Sequence, residues 1–320
     1  MSLPISPDRV NSRFSKQGGF RLNEANGAMQ NLIGKTALIT GAAAGIGREI
    51  ALQLAAEGVD LFLLDVDESG LADTEETASL LGVKVISRRC DLTDSHQITA
   101  TMQEVLSTWD GVDILVNNAG VAFYGPTHTM TAEQWDWLLG INLLAPIQIT
   151  RELLPSLLNR PEAHIVNVSS ICGLVQGNRF SAYQVSKYGL LGFSEALRAE
   201  YSRQGLGVSA ICPGPVTTRL FEVAPSGRDG KQTPIPPRWI CTTPELVAQK
   251  AVKAIYRDQG ICLVGWVAYV LYYLKRIAPW SLDLAFRFGR RRRMKKKAQE
   301  LALQAEQQFE GSADFSSKAA

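Results

Sequence analysis

The run Thr36-Ala-Leu-Ile-Thr40-Gly41-Ala-Ala-Ala-Gly45-Ile46-Gly47-Arg48 decides how the rest of the chain is read. A short apolar segment ends at a cluster of glycines, and the cluster opens a stretch of helical spacing. A strand, a tight turn and a helix in that order aim backbone amides and the positive end of a helix dipole at one point, which favours a pyrophosphate. The spacing is G-x-x-x-G-x-G and not the commoner G-x-G-x-x-G, so the turn alone, with Gly41, Gly45, Ile46 and Gly47, is a weak signal. Eighteen residues past Gly47 the run Leu61-Phe-Leu-Leu ends at Asp65, where a carboxylate can hold both hydroxyls of a ribose. A 2′-phosphate there would be repelled, and neither Ala44 nor Val66 supplies a compensating cation. The expected cofactor is NAD, with NADP less favoured.

Outward from this segment, short apolar runs alternate with longer amphipathic ones from Lys35 to about Gly214, the pattern of repeated βαβ units. The runs predict strands at Thr36–Thr40, Asp60–Asp65, Lys84–Arg88, Ile114–Asn117, His164–Ser169 and Val208–Cys212, with a seventh near Ile261–Val264. Helices are expected to begin near Ile46, Glu68, Ser95, Thr131, Asn142 and Ser181. The fold class is α/β: a Rossmann-type, doubly wound, parallel seven-stranded sheet with helices on both faces and a C-terminal helical extension. Its expected organisation is an arm over 1–31, loosely ordered and polar, a catalytic domain over 32–265, an apolar then polybasic extension over 266–297, and a polar tail over 298–320. Across Pro215 to Pro244, the five prolines from Pro215 to Pro237 with Gly227 and Gly230 predict a mobile loop over the ligand crevice.

Composition narrows the class further. With 320 residues and 46% hydrophobic content the chain can bury a large core. The net charge of +2 is uneven: ten basic residues against Asp283 lie between Lys275 and Lys297. Five scattered cysteines without a C-x-x-C pair suit a reducing compartment, and the isolated His96, His128 and His164 lack metal-ligand spacing, so no metal is expected. The first thirty residues lack the apolar stretch of a secretory signal, so a cytoplasmic location is expected.

Tyr183 and Lys187 stand at i and i+4 and, on a helix, share one face. A phenol with a pKa near 10 is a poor base at neutral pH, but a nearby ammonium, or a positive nicotinamide, draws that value down at a cost of about 1.4 kcal/mol per unit. Such a tyrosine is a workable general acid/base. A Y-x-x-x-K pair is common on solvated helices, so its company matters. Val166-Asn-Val-Ser169-Ser170 places a serine thirteen positions before the tyrosine, Asn117-Asn118-Ala119-Gly120 follows a strand, and Asn142 and Pro213-Gly214-Pro215-Val216-Thr217-Thr218 complete the set.

With these motifs in order from about Leu32 to Gly265, the chain resembles the short-chain dehydrogenase/reductase family. The resemblance implies a catalytic set of Asn142, Ser170, Tyr183 and Lys187. Ser170 would hold the substrate oxygen, Lys187 would bind the ribose as well as tune the tyrosine, and Asn142 would anchor a water leading from the lysine to solvent; a helix-cap amide is its plainer reading. Ser169 is the adjacent serine that strand alternation should turn from the crevice. The resemblance also implies that Asn118, Ala119 and Gly120 flank the adenosine side, that Asp91 and Leu92 lie beside the adenine, and that Pro213, Gly214, Val216 and Thr218 lie near the carboxamide. Asp91 reads nearly as well as a helix N-cap.

The expected partner is a small-molecule substrate, a bulky lipophilic alcohol or ketone such as a steroid, retinoid or acyl-chain alcohol, and relatives usually pair as homodimers or homotetramers through the helices near Asn142 and Ser181. Ile261 to Leu274 is uncharged but too short to span a bilayer and is followed at once by Lys275-Arg276, and a second stretch, Trp280 to Phe288, leads into Arg290–Arg293 and Lys295–Lys297. Aromatic residues beside a basic run suggest a helix lying on a membrane surface, against the alternative of a helix packed over the site or a subunit. The basic run lacks interleaved stacking aromatics, so no nucleic acid is expected. A silent NAD(H)-binding or membrane-recruited scaffold is the rival reading.

Overall fold

The computed structural model describes residues 28–227, 233–284 and 287. Most of the expected N-terminal arm, the basic run and the polar tail lie outside the described residues.

Seven parallel strands run in the order β3-β2-β1-β4-β5-β6-β7: β1 Thr36–Thr40, β2 Asp60–Asp65, β3 Val85–Arg89, β4 Ile114–Asn117, β5 Ala163–Val168, β6 Leu206–Pro213 and β7 Ile261–Val264. Between them lie α1 Gly45–Ala56, α2 Glu68–Ser79, α3 Ser95–Trp109, α4 Ala132–Leu139, α5 Ala145–Asn159, α6 Ser181–Tyr201, a short α7 Leu220–Val223 and α8 Pro244–Arg257. After β7 comes α9, Trp266–Ile277.

Strand alternation sorts the core into two layers. On one face Ala37, Ile39, Leu61 and Leu63 meet α1 and α8; on the other Leu38, Phe62 and Leu64 meet α3, α5 and α6. Both faces are buried, so these strands appear in the sequence as continuous apolar runs. Helix starts follow side-chain capping: Asp67 accepts from Gly70 N, Asp94 from His96 N and Gln97 N, Thr243 from Leu246 N, and Thr131 forms a capping box with Gln134.

Several expectations need correction. β3 starts one residue later than predicted, β5 spans Ala163–Val168, and β6 gains residues at both ends because both its neighbours, β5 and β7, supply ladder partners. The core reaches back to Met29, fully buried, whose amide donates to Ile255 O at 3.4 Å. No new helix begins at Asn142: α4 and α5 are joined through a π-helical segment, Gly140–Leu144, and Asn142 lies inside it. The loop after β6 contains α7 and a 3₁₀ turn at Arg238–Ile240, and α8 was not anticipated.

Candidate active site

The chain order reverses its direction of travel between β1 and β4, and the crevice at their carboxyl ends is where α/β sheets take ligands. Gly41 sits at φ 67°, where a side chain would be strained, and a Cβ there would lie 2.8 Å from Ala119 Cα. At Gly47 a Cβ would lie 2.0 Å from Gly41 O and 2.4 Å from Asn118 Nδ2, so α1 can approach the turn only without one. Gly45 sits at φ 57°, where a side chain would be strained, and a Cβ there would meet Thr218 Cγ2 at 3.4 Å. The N-cap of α1 is Ala44, which offers its amides no side-chain acceptor. Those amides remain available to an anion, and the turn fits a dinucleotide.

The wall beside this turn is built from the ends of β1 and β4. Thr40 Oγ1 accepts from Asn118 N at 3.0 Å and from Ala119 N at 3.1 Å, while Asn118 Nδ2 donates to the carbonyls of Thr40 and Gly41. Asp65 closes the far side, with one carboxylate oxygen accepting from Ala43 N at 3.0 Å and the other from Val66 N at 2.7 Å. A cleft of about 950 Å³ runs along this wall and is lined by Gly41, Gly45, Ile46, Asp65, Asp91, Leu92, Asn118, Ala119, Gly120, Val216 and Thr218. Asp91 is not an N-cap: Asp94 caps α3, and Asp91 accepts from Thr93 N and Oγ1 instead.

A second compartment holds Ser170, Tyr183, Lys187, Pro213 and Gly214 together with Ile46, Asn118, Gly120, Val216 and Thr218. Lys187 Nζ donates to Val168 O at 2.9 Å and lies 5.7 Å from the centre of the Tyr183 ring. Ser169 turns its hydroxyl to Lys187 O at 2.9 Å, although part of it still lines the compartment floor. Asn142 is fully buried mid-helix and is not a cap. Its amide is paired with the Val121 backbone on both sides, at 2.8 Å each, and reaches Ser186 Oγ at 3.1 Å.

The electrostatics differ from the expectation. Burial pushes the Tyr183 phenol well above its ordinary value, the neighbouring Cys172 adds to the rise, and a hydrogen bond with Ser170 opposes it. Burial also pulls the Lys187 ammonium down to about 8, against Cys212 and Cys172. Desolvation outweighs the attraction that the sequence spacing suggested, so the phenol keeps its proton at neutral pH. Cys172, Phe180, Leu220 and Phe221 complete the surroundings, and spacing gave no sign of them. Phe180 stands 6.1 Å from Tyr183, 6.1 Å from Phe221 and 5.1 Å from Tyr124, ring centre to ring centre.

A doubly wound sheet with a glycine turn, a terminal carboxylate on β2 and a buried Ser–Tyr–Lys group defines an α/β protein of Rossmann type whose crevice suits a dinucleotide. A family model described as short chain dehydrogenase matches residues 35–229. The chain is 35% identical over 201 residues to D-beta-hydroxybutyrate dehydrogenase of Cupriavidus necator, covering 63% of this chain and 78% of that one. A short chain dehydrogenase/reductase from Burkholderia phymatum, in complex with NAD, superposes with a TM-score of 0.70 at 28% identity, over 80% of this chain and 97% of its own. A metagenomic short-chain oxidoreductase in complex with NADP gives 0.61 at 31% identity, over 73% and 96%. The chain belongs to the short-chain dehydrogenase/reductase family of oxidoreductases.

Proposed function

We propose that the protein is an NAD-dependent oxidoreductase that interconverts a lipophilic alcohol and its ketone or aldehyde. The observation that carries this reading is the convergence of Ser170, Tyr183 and Lys187 on one compartment, with the buried Lys187 Nζ 5.7 Å from the centre of the Tyr183 ring. When bound, the nicotinamide supplies or accepts the hydride. In reduction Tyr183 donates its phenolic proton to the substrate oxygen while Ser170 holds that oxygen; in oxidation Tyr183 takes the proton back. Lys187 orients the ribose and stabilises the phenolate. Asn142 keeps the 118–121 segment against the site by gripping Val121.

NAD is favoured because Asp65 is held by loop amides at the ribose end, and the nearby Arg48 is turned to Glu49 and Thr77. A lipophilic substrate is favoured by the ring cluster of Tyr124, Phe180 and Phe221 next to Tyr183. The exposed Leu144 and Val185 support pairing of two copies through α5 and α6, and cysteines that form no disulfide among the described residues suit the cytoplasm. A panel of alcohols and ketones of increasing apolar size, followed by nicotinamide absorbance with NAD and NADP side by side, tests the oxidoreductase reading. The expected result is turnover with NAD and kcat/KM rising with apolar size; dinucleotide binding without turnover on any of them would leave a silent scaffold.

A further inference from the structure

α9 divides its residues between two faces. Ala268 is fully buried, Leu271 and Tyr272 pack on the cluster that holds Ile171, Val175 and Leu263, and Lys275 Nζ donates to Leu174 O and Tyr188 Oη at 2.6 Å each. The other face carries Trp266, Tyr269, Val270, Tyr273 and Ile277, at i, i+3, i+4, i+7 and i+11, each between 43% and 81% exposed. They form one apolar stripe along about 18 Å of helix. The helix packs on the protein and still presents an apolar face to the outside.

The stripe continues onto the loop that follows β6. Trp239, 74% exposed, stacks on Trp266 with ring centres 6.1 Å apart and planes 21° from parallel. Val223 and Ile235 of the same loop are also exposed, and both line the large cleft. A contiguous apolar surface of this kind marks an interaction face.

Charge selects the partner. Downstream of the stripe the sequence carries Arg287, Arg290–Arg293 and Lys295–Lys297, and Asp283 is the one acid between Lys275 and Lys297. Tryptophan and tyrosine beside a run of cations suit the headgroup region of an anionic bilayer. With 12 residues α9 cannot span one, and no helix among the described residues is long and apolar enough to cross a membrane. We infer that α9 and Trp239 dock the protein on an anionic lipid surface, with the mouth of the cleft held at the lipid boundary. A lipophilic substrate then enters from the bilayer past Leu220 and Phe221, which line both the cleft and the compartment of Tyr183. That last step rests on the proposed oxidoreductase reading; the docking does not.

The test sediments the full chain with vesicles of phosphatidylcholine alone or mixed with phosphatidylserine, without cofactor or substrate. The expected result is cosedimentation with the mixed vesicles and far less with the neutral ones. A Tyr269→Ser/Val270→Ser/Tyr273→Ser variant should lose roughly tenfold or more of its partitioning while keeping dinucleotide binding. Replacing Arg290, Arg291, Arg292 and Arg293 by Gln gives a second variant outside α9 that should lose a similar factor. The docking is overturned by wild-type protein that stays in the supernatant with both vesicle types, or by a triple variant that sediments as the wild type does. It is equally overturned by light scattering that shows a wild-type dimer made monomeric by the triple variant, which would assign the stripe to a second copy. Turnover is then compared for a water-soluble ketone and one dissolved in the vesicles. Failure on both sinks the oxidoreductase reading and leaves the docking standing.

Discussion

The ammonium of Lys187 donates to the carbonyl oxygen of Val168 at 2.9 Å, fastening α6 to the last residue of β5. Ser169 Oγ returns a bond to Lys187 O at 2.9 Å, so the lysine is held at both its ends.

This burial has a pH signature. Lys187 is drawn from its ordinary 10.5 to about 8, so between those values the unfolded chain binds more protons than the folded one. Stability then rises with pH across that window, and the contribution is lost as pH falls through about 8. Relative to Lys187→Met, the wild type should gain on the order of 3 kcal/mol between pH 8 and pH 10.5. Urea unfolding of both proteins at the two pH values measures the difference; a flat difference would contradict it. The same variant should also bind NAD more weakly and turn over slowly.

Tyr183→Phe should lower turnover by about 10²-fold or more, with NAD binding largely intact by isothermal titration. Because burial holds the phenol above its ordinary value, wild-type reduction should stay flat through neutral pH while oxidation rises with pH. Near-full activity in the variant would remove Tyr183 from the chemistry.

Asp65→Ser takes away the carboxylate that accepts from Ala43 N and Val66 N. NAD affinity should fall by roughly tenfold, about 1.4 kcal/mol, and the ratio of NAD to NADP affinity should fall with it. Fluorescence titration with both reduced cofactors decides this, and an unchanged ratio would mean that Asp65 does not select the ribose.

Two glycine substitutions should act in opposite directions. Gly47→Ala drives a Cβ to 2.0 Å from the Gly41 carbonyl, a rigid backbone atom, and should cost about 3 kcal/mol or more along with most cofactor binding. Gly192, exposed within α6, has nothing within 4 Å of a built Cβ, so Gly192→Ala should stabilise by about 0.5–1 kcal/mol. Thermal melts of the two variants against the wild type check both signs.

Much of this was legible because its causes are local. Strands buried on both faces must be apolar without interruption, and the glycines at 41 and 47 are demanded by backbone conformation or by contact with backbone. α8 was legible too, and it was missed: Thr243-Pro244 is a capping residue followed by a proline at the first helical position, which starts a helix even though prolines crowd the loop before it. The π-helical turn at Asn142 has no such local mark, since what holds it is the Val121 backbone 21 residues away in sequence.

The amino-acid order by itself determined the α/β class, the glycine turn and Asp65, and the shared face of Tyr183 and Lys187, all of which follow from periods and spacings along one chain. Tertiary structure alone decided how deeply that pair is buried, which rings from α7 and the loop before α6 surround it, and that α9 packs one face while leaving the other outside. Burial and cross-chain contact depend on what distant segments place against a residue, and desolvation there outweighs any tendency the residue carries in its own sequence neighbourhood.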